Sequence, residues 1–192
     1  MIKELDSFFR LQGFRVLCPQ EGAEVIRHIE RNTPLYNLRT ALYAVQLLID
    51  LSSGNQYDLV IFDRCIFDAY SWMEYWRGKN KLTDEEKSMI QSFFLLRFWA
   101  STIDSAYFMI ADPKVAMERE KQIALSKKLG SFTNPDSIRN LVEQYRKTYS
   151  LLSPQYPQLH LVDTSSIDAQ IVVQMIAGEV LETLFKKAKS GR

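Results

Sequence analysis

In the run Tyr57-Asp58-Leu59-Val60-Ile61-Phe62-Asp63-Arg64, an apolar strand stops abruptly at a carboxylate and a guanidinium in adjacent positions. Ligands of parallel α/β sheets sit outside the carboxyl ends of the strands. There Asp63 is placed to hold a metal ion or its water, and Arg64 to neutralise phosphate oxygens. A strand that simply ends in polar turn residues is the plain alternative.

The rest of the chain alternates in the same way. Ile2, Leu5, Phe8 and Phe9 follow helical spacing, Gly13 supplies a left-handed stop, and Phe14 to Cys18 reads as a short buried strand. Val25, Ile26 and Ile29 mark a short helix, and Leu35, Leu38, Leu42, Val45 and Ile49 a longer one from Pro34, with Gly54-Asn55 turning into the Asp63 strand. An aromatic helix spans Phe67 to Arg77, and Thr83 with Glu86 makes a capping box for a long helix through Phe98 and Trp99. Ser105 to Ala111 is a third strand. Asp112-Pro113 and Asn134-Pro135 each start a helix, the first running to Gly130 and the second presenting Ile138, Leu141, Val142, Tyr145 and Tyr149 on one face. Leu159 to Asp163 is the fourth strand, and Ser165 or Ser166 caps a closing helix with Ile171, Met175 and Leu181 inward. Connections of this length suit parallel crossovers, so the expected fold is α/β, a doubly wound parallel sheet with helices on both faces.

At 192 residues and 46% apolar, residues 1–192 read as one domain able to bury a core without staples. A net charge of +1 argues against a general nucleic-acid surface, so any phosphate binding is local. Cys18 and Cys65 form no metal-ligand spacing with each other or with His28 and His160, and read as reduced thiols. No apolar stretch approaches the roughly 18 residues of a membrane helix, and no signal region follows the N-terminus, so the expectation is a cytoplasmic protein without membrane partners.

With its elements in this order, most of the chain resembles the thymidylate kinase and deoxynucleoside kinase branch of the P-loop kinases. Asp63-Arg64 resembles the family's Asp-Arg strand end, and Asp112, Pro113, Ala116 and Arg119 its Asp-Pro-x-x-Ala-x-x-Arg. The resemblance implies a nucleoside or nucleotide kinase that transfers the terminal phosphoryl group of ATP, with Mg2+, to a nucleoside or nucleoside monophosphate, and that can form a homodimer. It implies Asp63 on the magnesium hydration shell, Arg64 and Arg119 on phosphates, and Glu21 near the acceptor's reacting oxygen, where a positioned base takes a proton. Glu21 also reads as a first-turn helix residue. A lid-like segment at about 113–134 would carry Lys121, Lys127 and Lys128. Between Lys114 and Lys147 there are eight basic and four acidic side chains, although a charged helix is often only a solvated face. Arg39, Tyr43 and Gln46 lie on the helix expected to read the base. Phe67, Tyr70 and Trp72 are stacking candidates or core aromatics, and Asp68 binds a sugar hydroxyl or is a surface carboxylate.

The family's first strand and its Gly-x-x-x-x-Gly-Lys-Ser/Thr loop are expected ahead of the first helix, and the 192 residues contain no such motif. The resemblance therefore implies a truncated, inactive chain. The rival readings are a non-catalytic nucleotide-binding or regulatory protein on a decayed kinase fold, and a kinase of a non-nucleotide small molecule. Relatives order their sheet second, third, first, fourth, fifth strand, so the missing strand is central. The strands ending at Asp63 and Ala111 would then stand about 9 to 10 Å apart. Unpaired groups facing that gap imply that the strands close up, that another chain fills the slot, or that the chain is loosely folded.

Overall fold

The computed structural model describes residues 1–52, 54, 56–123 and 134–190, with the backbone alone at 120–123 and 190. Helix α1 (Ile2–Leu11) buries Leu5 and Phe9, four residues apart on one face. Gly13, at φ +87°, ends it: its N–H donates to Arg10 O, Phe14 N–H donates to Phe9 O, and the rings of Phe9 and Phe14 meet at 5.9 Å. That is a Schellman stop with its accompanying apolar contact. The chain turns directly into β1 (Val16–Leu17), so α1 and β1 run in opposite directions.

Strand β1 pairs in parallel with β2 (Leu59–Val60), Val16 opposite Leu59. A clamp at the start of the pair holds this register: Asp58 accepts from the Arg15 amide at 2.7 Å and from its guanidinium at 2.7 and 3.1 Å. Between them lie α2 (Gly22–Val25) and α3 (Pro34–Ser52). The expected helix around Val25 to Ile29 ends early, because Ile26 turns extended and buries its side chain.

After β2 come α4 (Ile66–Gly78) and α5 (Asp84–Phe94), the latter opened by the Thr83/Glu86 capping box. The long helix expected through Trp99 is broken. Leu96 is extended, a separate α6 (Arg97–Ala100) follows, and the buried Trp99 indole N–H takes the Phe94 carbonyl that a continuing helix would have used.

Strands β3 (Ala106–Ile110) and β4 (Leu159–Asp163) pair in parallel over their whole length. Helices α7 (Pro113–Ile123) and α8 (Pro135–Leu152) connect them, α8 opened by Asn134, whose side chain accepts from Ser137 N–H. In the closing α9 (Ala169–Ser190), Val172, Ile176 and Ala177 are buried, whereas Ile171 is 56% exposed. Leu181 packs inward as expected, whereas Met175 like Ile171 is exposed; the helix begins past Asp168, which accepts from Gln170 N–H, and Ser165 instead receives Asp112 N–H and donates to Asp163.

The molecule is a mixed α/β protein with two small parallel sheets, β1-β2 and β3-β4, rather than one continuous doubly wound sheet. One apolar cluster joins α1 and α9 to one face of the strands; the larger one joins α3, α4, α5, α6 and α8 to the other, around Ile66, Met73 and Phe94, each fully buried. Among the described residues, no helix is long and apolar enough to cross a membrane.

Candidate active site

Beyond the carboxyl end of β2 the backbone turns sharply: Arg64 sits at φ 67°, in the left-handed region. For a residue with a Cβ this costs about 1–2 kcal/mol, and strain of this kind collects at functional sites. The turn brings the Arg64 Nε to 3.3 Å from Glu21 Oε1, a residue 43 positions earlier that precedes α2. Asp63 and Arg64 from the β2–α4 connection and Asp68 of α4 meet Glu21, just before α2, Gly22 of α2, and Tyr36, Asn37, Thr40 and Tyr43 from α3 around one cavity. Gly22 lets α2 lie this close to α3, since a Cβ there would be 3.2 Å from Thr40 Cβ. The enclosed space is about 30 Å³, roughly the share of one water in the liquid. The cavity is partly open to solvent.

Burial raises the Glu21 pKa; Arg64 opposes the rise and Asp63 adds to it. Burial likewise raises Asp68, against Arg64 and against the Tyr145 hydroxyl, which donates to Asp68 Oδ1 at 2.5 Å. Tyr145 is pushed well above the usual phenol range by burial and by Asp68. For Arg64, burial works against the charge, but Asp68 and Glu21 outweigh it and the pKa goes up. Cys65, which precedes α4, is raised by burial to about 12 and is a thiol, not a thiolate.

Two buried oxygens at this cavity lack a hydrogen-bond partner: Glu21 Oε1, in ion-pair range of Arg64 but not hydrogen-bonded to it, and Tyr36 Oη. Such groups cost about 1–3 kcal/mol each when left unmade, a cost a bound hydroxyl would recover. Asp63 is exposed and carries no ion pair among the described residues. The described residues form no cluster of three or more metal-ligating side chains.

Of the residues singled out in the sequence, Glu21, Asp63, Arg64, Asp68 and Tyr43 come together at this cavity. Arg119 is elsewhere: its guanidinium donates to Thr164 Oγ1 and O at 2.9 and 2.7 Å, on the loop after β4. Arg39 and Gln46 do not line the cavity. The stripe of α3 that does is Tyr36, Asn37, Thr40, Ala44 and Leu47, and Tyr43 stands at its border. Phe67 is a core residue, 3% exposed and edge-on to Tyr156, and Tyr70 and Trp72 are buried with it. Asp68 is not a surface carboxylate, being tied to Tyr145. The Lys121 side chain, Lys127 and Lys128 lie outside the described residues. Tyr36 and Tyr145 were missed. Tyr36 had a signal, its place one turn ahead of Thr40 and Tyr43; Tyr145 read only as part of an apolar helix face.

No family model matches the chain, and no curated protein matches it. Among solved structures it is similar to a deoxyadenosine kinase from M. mycoides with dCMP and a flexible dCDP bound, at 13% identity over 87% of this chain and 97% of that one, with a TM-score of 0.47. A likeness of this extent carries no argument about activity, which has to come from the side chains gathered at the end of β2.

Proposed function

We propose that the cavity between α2, α3 and α4 is the acceptor side of a phosphoryl-transfer site, taking the sugar of a nucleoside or nucleoside monophosphate, with magnesium-bound ATP as donor. The observation that carries this reading is the pair of unpartnered buried oxygens, Glu21 Oε1 and Tyr36 Oη, on one cavity beside Arg64. A sugar offers several hydroxyls within a few ångströms, so one can donate to Glu21 while another meets Tyr36.

Glu21, its pKa raised by burial, is a better proton acceptor than an exposed glutamate, because a base works best with a pKa nearer the working pH. Arg64 orients Glu21 and presents a planar fork to phosphate oxygens. Asp63 is free to hold magnesium through water, and the ion when bound would neutralise charge on the transferring group. The 192 residues contain no glycine-rich phosphate loop, so no donor-side step is derived from them. Lys121, Lys127 and Lys128 belong to this proposal as lid residues, as do a cytoplasmic location and a homodimer.

Calorimetric titration of the full chain with a panel of nucleosides and nucleoside monophosphates tests the reading. Binding is expected for at least one of them, weakened about tenfold by Tyr36→Phe, the worth of one hydrogen bond of about 1–1.5 kcal/mol. Absence of binding at millimolar concentration, or an unchanged affinity in both Tyr36→Phe and Glu21→Gln, would refute it.

A further inference from the structure

Arg64 faces three carboxylates, and each reaches it differently. Glu21 Oε1 stands 3.3 Å from its Nε. Asp63 precedes it in the chain and is exposed. Asp68 lies on the first turn of α4, and among the described residues no ion pair joins it to Arg64. Yet of the three it favours the guanidinium charge most, ahead of Glu21 and then Asp63. Asp68 therefore acts through space, and only while it is ionised.

The group that keeps Asp68 ionised comes from another part of the fold. Tyr145 of α8 donates its hydroxyl to Asp68 Oδ1 at 2.5 Å, and a hydrogen bond donated to a carboxylate favours its charged form. The tyrosine is fixed from two sides. Its ring packs on Phe108 of β3, with centroids 5.1 Å apart, and the next residue, Arg146, donates to Asp163 at the end of β4 at 2.7 Å. Burial of the Asp68 carboxyl works the other way, so without this donor its neutral form gains.

We propose that Tyr145 is a positioning residue for the proton acceptor Glu21: by donating to Asp68 it keeps a second negative charge beside Arg64, so that the guanidinium is shared between two carboxylates instead of being committed to Glu21. The inference rests on the acceptor-site reading for what Glu21 does. Shared in this way, Arg64 orients Glu21 without quenching it. Oε1 is in ion-pair range but makes no hydrogen bond, and it is the atom to which the proton of an acceptor hydroxyl passes. The Asp68 charge also acts on Glu21 directly, in the same sense as burial, Asp63 and Glu24, and favours its protonated form. Of the remaining groups that face the pair, Trp72 adds to the effect of Tyr145 on Asp68, Cys65 is a neutral thiol, and the Tyr36 hydroxyl has no hydrogen-bond partner.

Carboxyl-carbon NMR titration of the full chain, of Tyr145→Phe and of Asp68→Asn tests this without any nucleotide. In Tyr145→Phe the Asp68 midpoint is expected to rise and the Glu21 midpoint to fall. In Asp68→Asn, where the tyrosine is kept and the charge is gone, Glu21 should fall at least as far; this variant decides the matter if the phenylalanine one does not fold. Glu21 unmoved or raised in Asp68→Asn would overturn the proposal. So would a Glu21 that stays in place in Tyr145→Phe while Asp68 rises, which is what a bond that only fastens α8 to α4 would give. Calorimetric titration with nucleosides across pH is the second readout. Tyr145→Phe should leave the affinity well above the Glu21 midpoint within about twofold of the parent and move the pH of half-maximal binding down together with Glu21. Binding retained with Glu21 unmoved overturns the proposal and leaves the acceptor-site reading standing. Shifted titrations with no nucleoside bound support the link from Tyr145 to Glu21 and overturn that reading instead.

Discussion

Replacing Arg64 by glycine and, separately, by alanine distinguishes the two roles of this residue. Its φ of 67° costs a residue with a Cβ about 1–2 kcal/mol. Its guanidinium is 3.3 Å from Glu21, but with 56% of the side chain exposed the ion pair is worth at most about 1 kcal/mol once solvent screening is allowed for. Both variants lose that pair, and only glycine relieves the backbone. Glycine returns about 0.5–1 kcal/mol through the greater freedom of its unfolded chain. Arg64→Gly should therefore be more stable than Arg64→Ala by about 0.5–1 kcal/mol, or about 1–4 °C in Tm for a chain of this size. The two carboxyls behave alike in both variants: Arg64 holds down the pKa of Glu21 and of Asp68, so both titrate higher without it. The folded chain then keeps these protons to higher pH than the unfolded chain does. Stability is greatest below the ordinary carboxylate range and falls as pH rises through the raised values, more steeply in the variants. Urea unfolding from pH 4 to 8 and carboxyl-carbon NMR titration measure both effects. Alanine at least as stable as glycine would refute the left-handed turn, and unmoved titrations of Glu21 and Asp68 would refute the cluster.

Three further outcomes are expected. Tyr145→Phe removes the hydroxyl that donates to Asp68; it should cost about 1–3 kcal/mol at neutral pH and less in acid, where Asp68 is protonated, and a pH-independent loss in urea unfolding would contradict this. Met73→Ala empties a fully buried site between α4 and its neighbours and should cost about 2–5 kcal/mol, read from the denaturation midpoint; a loss below about 1 kcal/mol would mean the core is looser than described. Asp63→Asn, assayed with magnesium, ATP and acceptor, should lower turnover at least about tenfold while leaving acceptor affinity nearly unchanged, and equal losses in both would remove Asp63 from the mechanism.

Local rules made much of this protein legible from its residues. The Gly13 stop, the Thr83/Glu86 and Asn134 caps and the five-residue strand Leu159–Asp163 all stand as read. Each depends on groups within a few positions of one another, where capping chemistry and apolar period act directly. The misreadings came where side-chain hydrogen bonds and packing overrode the apolar period: the Trp99 indole N–H takes the Phe94 carbonyl where the helix was expected to continue, and in α9, which begins past Asp168, Val172 and Ile176 are buried while Ile171 and Met175 are exposed.

For the site, the residue types at the end of the β2 run were visible in the sequence, and Asp63-Arg64 with Glu21 could be named from it. What surrounds them was decided only by tertiary structure, since Arg64 meets Glu21 across 43 positions and Asp68 meets Tyr145 across 77. Whether Asp68 is a surface carboxylate or a buried one, and which stripe of α3 faces the cavity, depends on how α3, α4 and α8 pack together. No local propensity encodes that, because a side chain's burial and charge partners come from whole elements meeting in space.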